Sequence, residues 1–235
     1  MEPNEEVVIV EEPTPRPFAE IPPLWLKIGH MNEDFFAAEL PHTSVRNTIY
    51  SVLVFTAVSM LMTIVSSLLG RLVASFSNTA AVQSTEFATF LVTMTVSLCC
   101  FSLFLVPISF YANNGLTYAA AHIFGGKGSF SSQAYLSSLF TVPLGILSSV
   151  FALVSAVPVA GLYLALVITL VVSVFHVIFT VRIFKVVHHL TTGRAVAAVL
   201  SPYLLLLIPL CMIAVLALMG PAIGGVFSSI TTPMP

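Results

Sequence analysis

Five long apolar runs constrain this chain more than any other feature of its sequence. A helix needs about 20 residues to cross a bilayer, and each run is long enough. The runs cover residues 49–69, 87–110, 136–156, 159–181 and 196–219. Only 8% of the residues are charged, against about 25% in soluble domains, which nearly excludes a soluble enzyme. The sequence therefore predicts an all-α, polytopic membrane protein with five transmembrane helices.

The charged residues are distributed unevenly along the chain. Nine of the ten acidic residues lie at or before Glu39, whereas most basic residues flank the spans. Basic residues collect on the cytoplasmic side of membrane proteins. If the N-terminus is cytoplasmic, only Arg71 falls on the opposite side, and the cytoplasmic side receives Lys27, Arg46, Lys127, Arg182, Lys185 and Arg194. We therefore expect a cytoplasmic N-terminus and a short non-cytoplasmic tail over residues 220–235.

The residues before the first span divide into two segments. Residues 1–23 hold six prolines and six glutamates, which predicts a disordered acidic tail. Residues 24–41 predict an amphipathic helix, because apolar residues recur on one helical face. That helix either lies in the membrane interface, with Trp25 at headgroup level, or docks on the protein's own bundle. The residues that it offers to lipid or to a partner are Leu24, Trp25, Ile28, Met31, Phe35 and Phe36.

Ionisable groups are scarce in the predicted spans. No Asp, Glu, Lys or Arg lies within them, which disfavours a proton pump. Glu86, just before the second span, is interpreted as a complement to a helix N-terminus. His176 lies in the fourth span and either bonds a neighbouring helix or, with His122 as a second candidate, ligates haem or pigment. We place His188 and His189 in a cytoplasmic loop and expect neither a metal site nor a cofactor.

Small or hydroxyl residues recur at every fourth position in four of the five spans. This spacing lets helix backbones approach closely in lipid, and we interpret the residues as packing ridges. The alternative is a hydrated path, which would usually add a charged or amide group. The ridges are Ser59, Thr63 and Ser67; Thr89, Thr93 and Ser97; Thr141, Gly145 and Ser149; and Gly161, Ala165, Thr169 and Ser173. Pro107, Pro143, Pro202 and Pro209 can kink their helices. Cys99, Cys100 and Cys211 are interpreted as buried free thiols.

Three short groups of residues stand out along the chain. They are Trp25-Leu26-Lys27-Ile28, Met31 and Phe35-Phe36 with Asn47-Thr48-Ile49; Gly125-Gly126-Lys127-Gly128-Ser129-Phe130 with Tyr135 and Pro143; and His188-His189-Leu190-Thr191-Thr192-Gly193-Arg194-Ala195. Together they resemble the Yip domain family (Ypt-interacting proteins), especially its bacterial branch, over residues 24–219. The resemblance implies five helices, a cytoplasmic N-terminus and no enzymatic chemistry. Eukaryotic members carry an Asp-Leu-x-Gly-Pro motif, which is absent here and leaves GTPase binding doubtful.

These observations favour a non-enzymatic integral membrane protein that binds or scaffolds a membrane partner or a larger complex. One alternative is an accessory subunit of a bioenergetic complex, near pigment or haem. Another is a transporter or channel for a small neutral or lipidic solute. Membrane lipids are expected partners, and nucleic acid is not, because no Lys/Arg run is present. We expect the protein in a bacterial cytoplasmic membrane or, alternatively, in a eukaryotic endomembrane.

Overall fold

The computed structural model describes residues 14–76, 85–153 and 160–231, and no strand occurs in these ranges. Two short helices precede five long ones. They are α1 (Ile21–Trp25), α2 (Glu33–Glu39), α3 (Val45–Phe76), α4 (Thr85–Ile123), α5 (Phe130–Ala152), α6 (Ala160–His188) and α7 (Thr192–Thr231). Five helices in the described ranges are long and apolar enough to cross a membrane. The prediction of an all-α, multi-pass membrane protein is confirmed.

Several helices extend beyond the predicted spans. The second span was expected to end at Phe110, but α4 continues to Ile123. The side chains of Asn114 and Thr117 bond to backbone carbonyls one turn earlier in α4, so these polar residues end the apolar run without ending the helix. The expected tail over residues 220–235 is helical as far as Thr231. The end of the third span and the turn at residues 157–158 lie outside the described residues.

Helix α5 forms the centre of the bundle. Half of its span is buried, against 11–17% of the other four candidate spans. It contacts α3, α4 and α6, and α1 packs across its side. The largest fully buried side chains of the core include Tyr135, Leu136 and Phe140 from α5, together with Ile183 and Phe184 from α6. The apolar outer surfaces of the other helices are exposed, as lipid-facing surfaces are.

The expectation of a disordered tail over residues 1–23 is wrong for its last ten residues. Ile21 is fully buried in the core, and Phe18 packs on Tyr50 with ring centroids 4.6 Å apart. Arg16 donates two hydrogen bonds of 2.8 Å to the buried carboxylate of Glu39. These contacts are long-range, so the local composition of the segment could not indicate them. Residues 1–13 lie outside the described part of the chain.

The single helix expected over residues 24–41 is also corrected. The chain instead forms α1, a 3₁₀ turn at Ile28–His30, α2 and a second 3₁₀ turn at Leu40–His42. The break occurs because Asn32 caps a new helix, accepting a hydrogen bond of 2.9 Å from the backbone N–H of Phe35. Of the two placements that the sequence left open, the structure shows the segment docked on the protein's own bundle.

The described N-terminal segment and the two described loops between long helices, at 124–129 and 189–191, lie at one end of the molecule. The guanidinium of Arg182 donates to the carbonyl of Met31 at 2.7 Å, and Lys185 pairs with Glu33 at 2.5 Å. These contacts tie the N-terminal segment to the end of α6. We call the residues 14–44, 124–129 and 189–191, together with the adjoining helix ends, the packed end.

Candidate functional site

A glycine-rich loop joins α4 to α5 and crosses the end of α6. Gly125 has a φ of +89°, a conformation that L-residues with side chains rarely adopt. A Cβ on Gly126 would lie 2.8 Å from the Cβ of His188, and one on Gly128 would overlap the carbonyl oxygen and Cγ1 of Val187. The loop therefore fits against α6 only because these positions lack side chains.

Behind this loop, buried polar side chains from three helices form one network. Gln133 Nε2 donates to the carbonyl of Asn114 at 2.9 Å and to Thr117 Oγ1 at 3.0 Å. His188 Nδ1 accepts from the Gly128 N–H at 3.2 Å, so Nε2 carries the proton and donates to Gln133 Oε1 at 2.9 Å. All polar atoms of the Gln133 amide group thus have partners, and the network fixes the relative positions of α4, α5 and α6.

Replacing Gln133 tests this network. We expect Gln133→Leu to lower the free energy of unfolding by about 2 kcal/mol, because the Nε2–H of the buried His188 loses its acceptor. Unfolding of the purified protein in mixed detergent micelles measures the difference. Lys127→Gln, an exposed change in the neighbouring loop, is the control and should leave the unfolding free energy unchanged. Equal effects of the two substitutions would contradict the role assigned to Gln133.

The predicted histidine positions are partly corrected. His188 was placed in a loop, but it is the last residue of α6 and is buried, whereas His189 is exposed with a φ of 53°. His122 is exposed, and its ring centroid lies 5.8 Å from that of His188. His176 lies with its ring centroid 5.0 Å from that of Phe140. Among the described residues, no group of three or more His, Cys, Asp or Glu side chains could hold a metal ion.

A crevice of about 440 Å³ runs along α4 between α3, α5 and α6. Its volume lies within the range of about 300–1,000 Å³ that small-molecule sites occupy. Mainly apolar side chains line it at one end, and most of its hydroxyl, amide and imidazole groups lie toward the other. The lining residues are Phe55, Phe101, Ser102, Leu105, Val106, Ser109, Phe110, Asn113, Asn114, Thr117, Ser137, Thr141, His176 and Thr180. The described lining contains no Asp, Glu, Lys or Arg.

The predicted span boundaries exclude the amide groups of this region. The second span was predicted to end at Phe110 and the third to begin at Leu136, so Asn113, Asn114 and Gln133 fall outside both predicted spans. The available signal was the helix-compatible pattern that continues through Asn114 and Thr117 to Ile123 without proline or glycine clusters. The amide that a hydrated path would require is therefore present in the bundle.

The predicted packing ridges lie in different environments. Gly145 faces the ring of Phe55, which a Cβ would overlap, and Gly161 is buried. Ser59, Thr63, Ser67, Ser97, Thr141, Ser149 and Ala165 are half-buried, Thr93, Thr169 and Ser173 are exposed, and the side chain of Thr89 is not among those described. The hydroxyls of Thr63, Ser149 and Ser173 donate to carbonyls four residues earlier in their own helices. A packing contact is thus clear at Gly145, and it stays a prediction for the exposed positions.

The predicted partner-binding surface of the N-terminal segment is corrected at three positions. Leu24, Met31 and Phe36 are buried in the protein's own core and are not accessible to a partner. Trp25, Ile28 and Phe35 are half-buried against the same core. The segment uses most of its apolar face to dock on α5 and α6, because its helices meet those elements directly.

A different surface, on α7, has no packing partner within the described chain. The described large side chains from Tyr203 to Met219 are exposed, and because successive residues are 100° apart these positions cover the whole circumference of the helix. No charged, amide or hydroxyl side chain occurs between Leu204 and Phe227. Within this stretch Gly220 and Gly224 form a Gly-x-x-x-Gly motif, which falls outside the predicted last span because that span ends at Met219.

The cysteines are also placed differently from the expectation. Cys99 is buried, but Cys100 and Cys211 are exposed on the apolar surface, and all three are free thiols. Their apolar neighbours indicated burial, yet in a membrane protein apolar surroundings also describe the lipid-facing side.

No protein-family model, curated protein or solved structure matches this chain. The resemblance to the Yip domain family therefore rests on the sequence motifs alone.

Proposed function

We propose that this integral membrane protein is a non-enzymatic binding protein that holds a transmembrane helix of a partner membrane protein against the C-terminal half of α7. The observation that carries the proposal is the exposure of the described large side chains on every side of α7 from Tyr203 to Met219. Nearer its start, Ala195, Ala198 and Val199 are buried in the bundle. Helix α7 is therefore anchored at the packed end and exposed beyond it.

The Gly-x-x-x-Gly motif explains why a helix is a better occupant of this surface than lipid alone. Lipid tails are as apolar as leucine, so helices associate in membranes through close packing at small residues. A Cβ placed on Gly220 would meet no other atom within 4 Å, so no element in the described part of the chain fills the space above it. Gly220 and Gly224 lie one turn apart on one helical face, where two backbones could approach closely.

The packed end supports a cytoplasmic location for the N-terminal segment in this proposal. Lys127 and Arg194 lie in or beside the loops of that end, and Arg182 and Lys185 bond to the docked N-terminal segment. Basic residues gathered at one end of a helical bundle indicate the cytoplasmic side. With α7 beginning there, its Gly-x-x-x-Gly motif lies toward the opposite side of the membrane.

Substitution of the motif tests the proposal. In native membranes, a photo-crosslinking amino acid at Leu216, one turn before Gly220, should give a product of discrete higher mass. We expect Gly220→Leu to reduce its yield about tenfold, because a bulky side chain separates the two backbones and weakens association by about 1.4 kcal/mol. Mass spectrometry of the crosslinked product would identify the partner, including a second copy of this chain.

Matched controls distinguish helix binding from lipid exposure. Gly70→Leu changes a glycine of α3 that is equally unobstructed, and it should leave the crosslink at position 216 unchanged. A crosslinker at Leu170 of α6, where the side chain is also exposed, should give no discrete product. If positions 170 and 216 behave alike, or if Gly220→Leu changes nothing, α7 faces only lipid and the proposal is wrong.

A further inference from the structure

We infer that the crevice between α3, α4, α5 and α6 binds an uncharged amphiphile that enters from the bilayer, with its polar head near Asn113 and Thr141 and its hydrocarbon tail near Phe101 and Leu105. The inference is independent of the surface on α7. It rests on the uneven chemistry of the crevice lining, on where the crevice opens, and on the network that closes its polar end.

The polar lining collects toward the packed end. Asn113, Ser137, Thr141, His176 and Thr180 come from the C-terminal part of α4, the N-terminal part of α5 and the C-terminal part of α6. Because α4 and α6 end where α5 begins, these residues lie at similar depth. They offer hydroxyl, amide and imidazole groups, which bond a hydroxyl, ester or carbonyl group of a ligand.

The other part of the crevice is mainly apolar and exposed, and the hydroxyl of Ser102 there donates to the carbonyl of Cys99 in the same helix. Phe101 and Leu105 line it and are 64% and 53% exposed. Along α4, Phe101 lies about 24 Å from Thr117, at 1.5 Å per residue. A ligand lying along this length would therefore meet apolar groups at one end and polar groups at the other, which is the pattern of an amphiphile.

The absence of ionised groups in the described lining defines the charge of the ligand. An ionic headgroup in a low-dielectric site needs an opposite charge, and a buried charge without one is strongly unfavourable. His176 is the one residue of the described lining with a basic side chain. A neutral head, such as a glycerol ester or another hydroxylated group, satisfies the lining without a counter-charge.

The buried network closes the polar end of the crevice. Asn114 and Thr117 line the crevice and also accept the hydrogen bonds of Gln133. Gln133 and His188 block continuation toward the glycine-rich loop, since both are fully buried there. Among the described residues, the crevice therefore does not continue through the packed end.

Photolabelling of the full-length protein in lipid nanodiscs tests the inference. The probes are a monoacylglycerol with a photoactivatable chain and a lysophosphatidic acid with the same chain, which differ in headgroup charge. We expect the monoacylglycerol to label peptides that contain crevice residues of α4 and α5 about fivefold more than the lysophosphatidic acid does. Asn113→Leu should lower this labelling about fivefold, as expected for loss of one polar contact of about 1 kcal/mol.

The controls address folding and general lipid exposure. Asn113 is exposed in the crevice, so its replacement leaves the core intact, and Thr141→Val serves as a second variant with nearly unchanged volume. Thr169→Val removes an exposed hydroxyl of α6 outside the crevice and should leave labelling unchanged. Labelling spread evenly over lipid-facing helices, equal labelling by the anionic probe, or insensitivity to both crevice variants would each overturn the inference.

Discussion

Gly128→Ala is expected to lower the free energy of unfolding by about 3 kcal/mol, at the upper end of the usual effect of overpacking. The new Cβ would overlap the carbonyl oxygen and Cγ1 of Val187. The backbone of α6 cannot move away easily, because the next residue, His188, is held by Gly128 and Gln133. Relief of the overlap would therefore break the hydrogen bond from Gly128 N–H to His188 Nδ1. Unfolding in mixed detergent micelles measures the loss.

Other glycines provide matched controls for this substitution. A Cβ on Gly29 or on Gly193 would meet no atom within 4 Å, so Gly29→Ala and Gly193→Ala should change stability by less than about 1 kcal/mol. Gly126→Ala should fall between them and Gly128→Ala, because its Cβ would approach His188 Cβ to 2.8 Å and the carbonyl oxygen of Ala121 to 2.9 Å. If all four substitutions lower the free energy of unfolding equally, the close approach of the loop to α6 is not the reason that Gly126 and Gly128 are glycines.

Arg16→Ala should have a comparable effect, about 3 kcal/mol, because it leaves the carboxylate of Glu39 buried without its partner. The two side chains form a bidentate pair, and Glu39 is only 5% exposed at its side chain. The hydrogen bond with Glu39 raises the pKa of Arg16, so the guanidinium stays protonated to a higher pH in the folded protein than in the unfolded chain. The contribution of that shift is complete below the unfolded-state pKa and is lost only as the pH rises through the folded-state pKa.

Two further variants separate this ion pair from general effects of charge. Arg16→Ala combined with Glu39→Gln should recover much of the lost stability, since a neutral amide is less costly to bury than a lone carboxylate. Glu33→Gln removes the partner of Lys185, but Glu33 is 47% exposed at its side chain. That change should cost less than about 1 kcal/mol. If the double variant is no more stable than Arg16→Ala, the unpaired carboxylate is not the cause of the loss.

The number of helices and their approximate positions followed directly from the sequence. Residues 49–69 and 196–219 are apolar and contain no charged residue. In the hydrocarbon core of a membrane the backbone N–H and C=O groups must bond to each other, which a helix allows. The same reasoning failed at helix ends. Asn113 and Asn114 ended the apolar run, but α4 continues because backbone hydrogen bonding does not depend on the polarity of the side chain.

Contacts between distant segments could not be predicted from local pattern. The composition of residues 1–23 indicated disorder, yet Arg16 pairs with Glu39 and Ile21 is buried, because partners elsewhere in the chain compensate the cost of ordering. His188 was predicted to lie in a loop beside His189. In the structure it is buried at the end of α6 and bonded to Gly128 and Gln133, which are distant in sequence. The crevice likewise depends on four helices and has no signature in any one of them.

The uneven anchoring of α7 has a mechanical consequence. Val199 is held in the bundle, whereas Gly220 lies about 30 Å further along the same helix at 1.5 Å per residue. At that radius, a change of about 10° in tilt displaces Gly220 by about 5 Å, roughly the pitch of one helical turn. Pro202, buried just beyond Val199, lies where such bending would concentrate, since proline removes a helical hydrogen bond. A small bend of α7 at Pro202 would therefore displace the far end of this helix relative to the other helices by several ångströms.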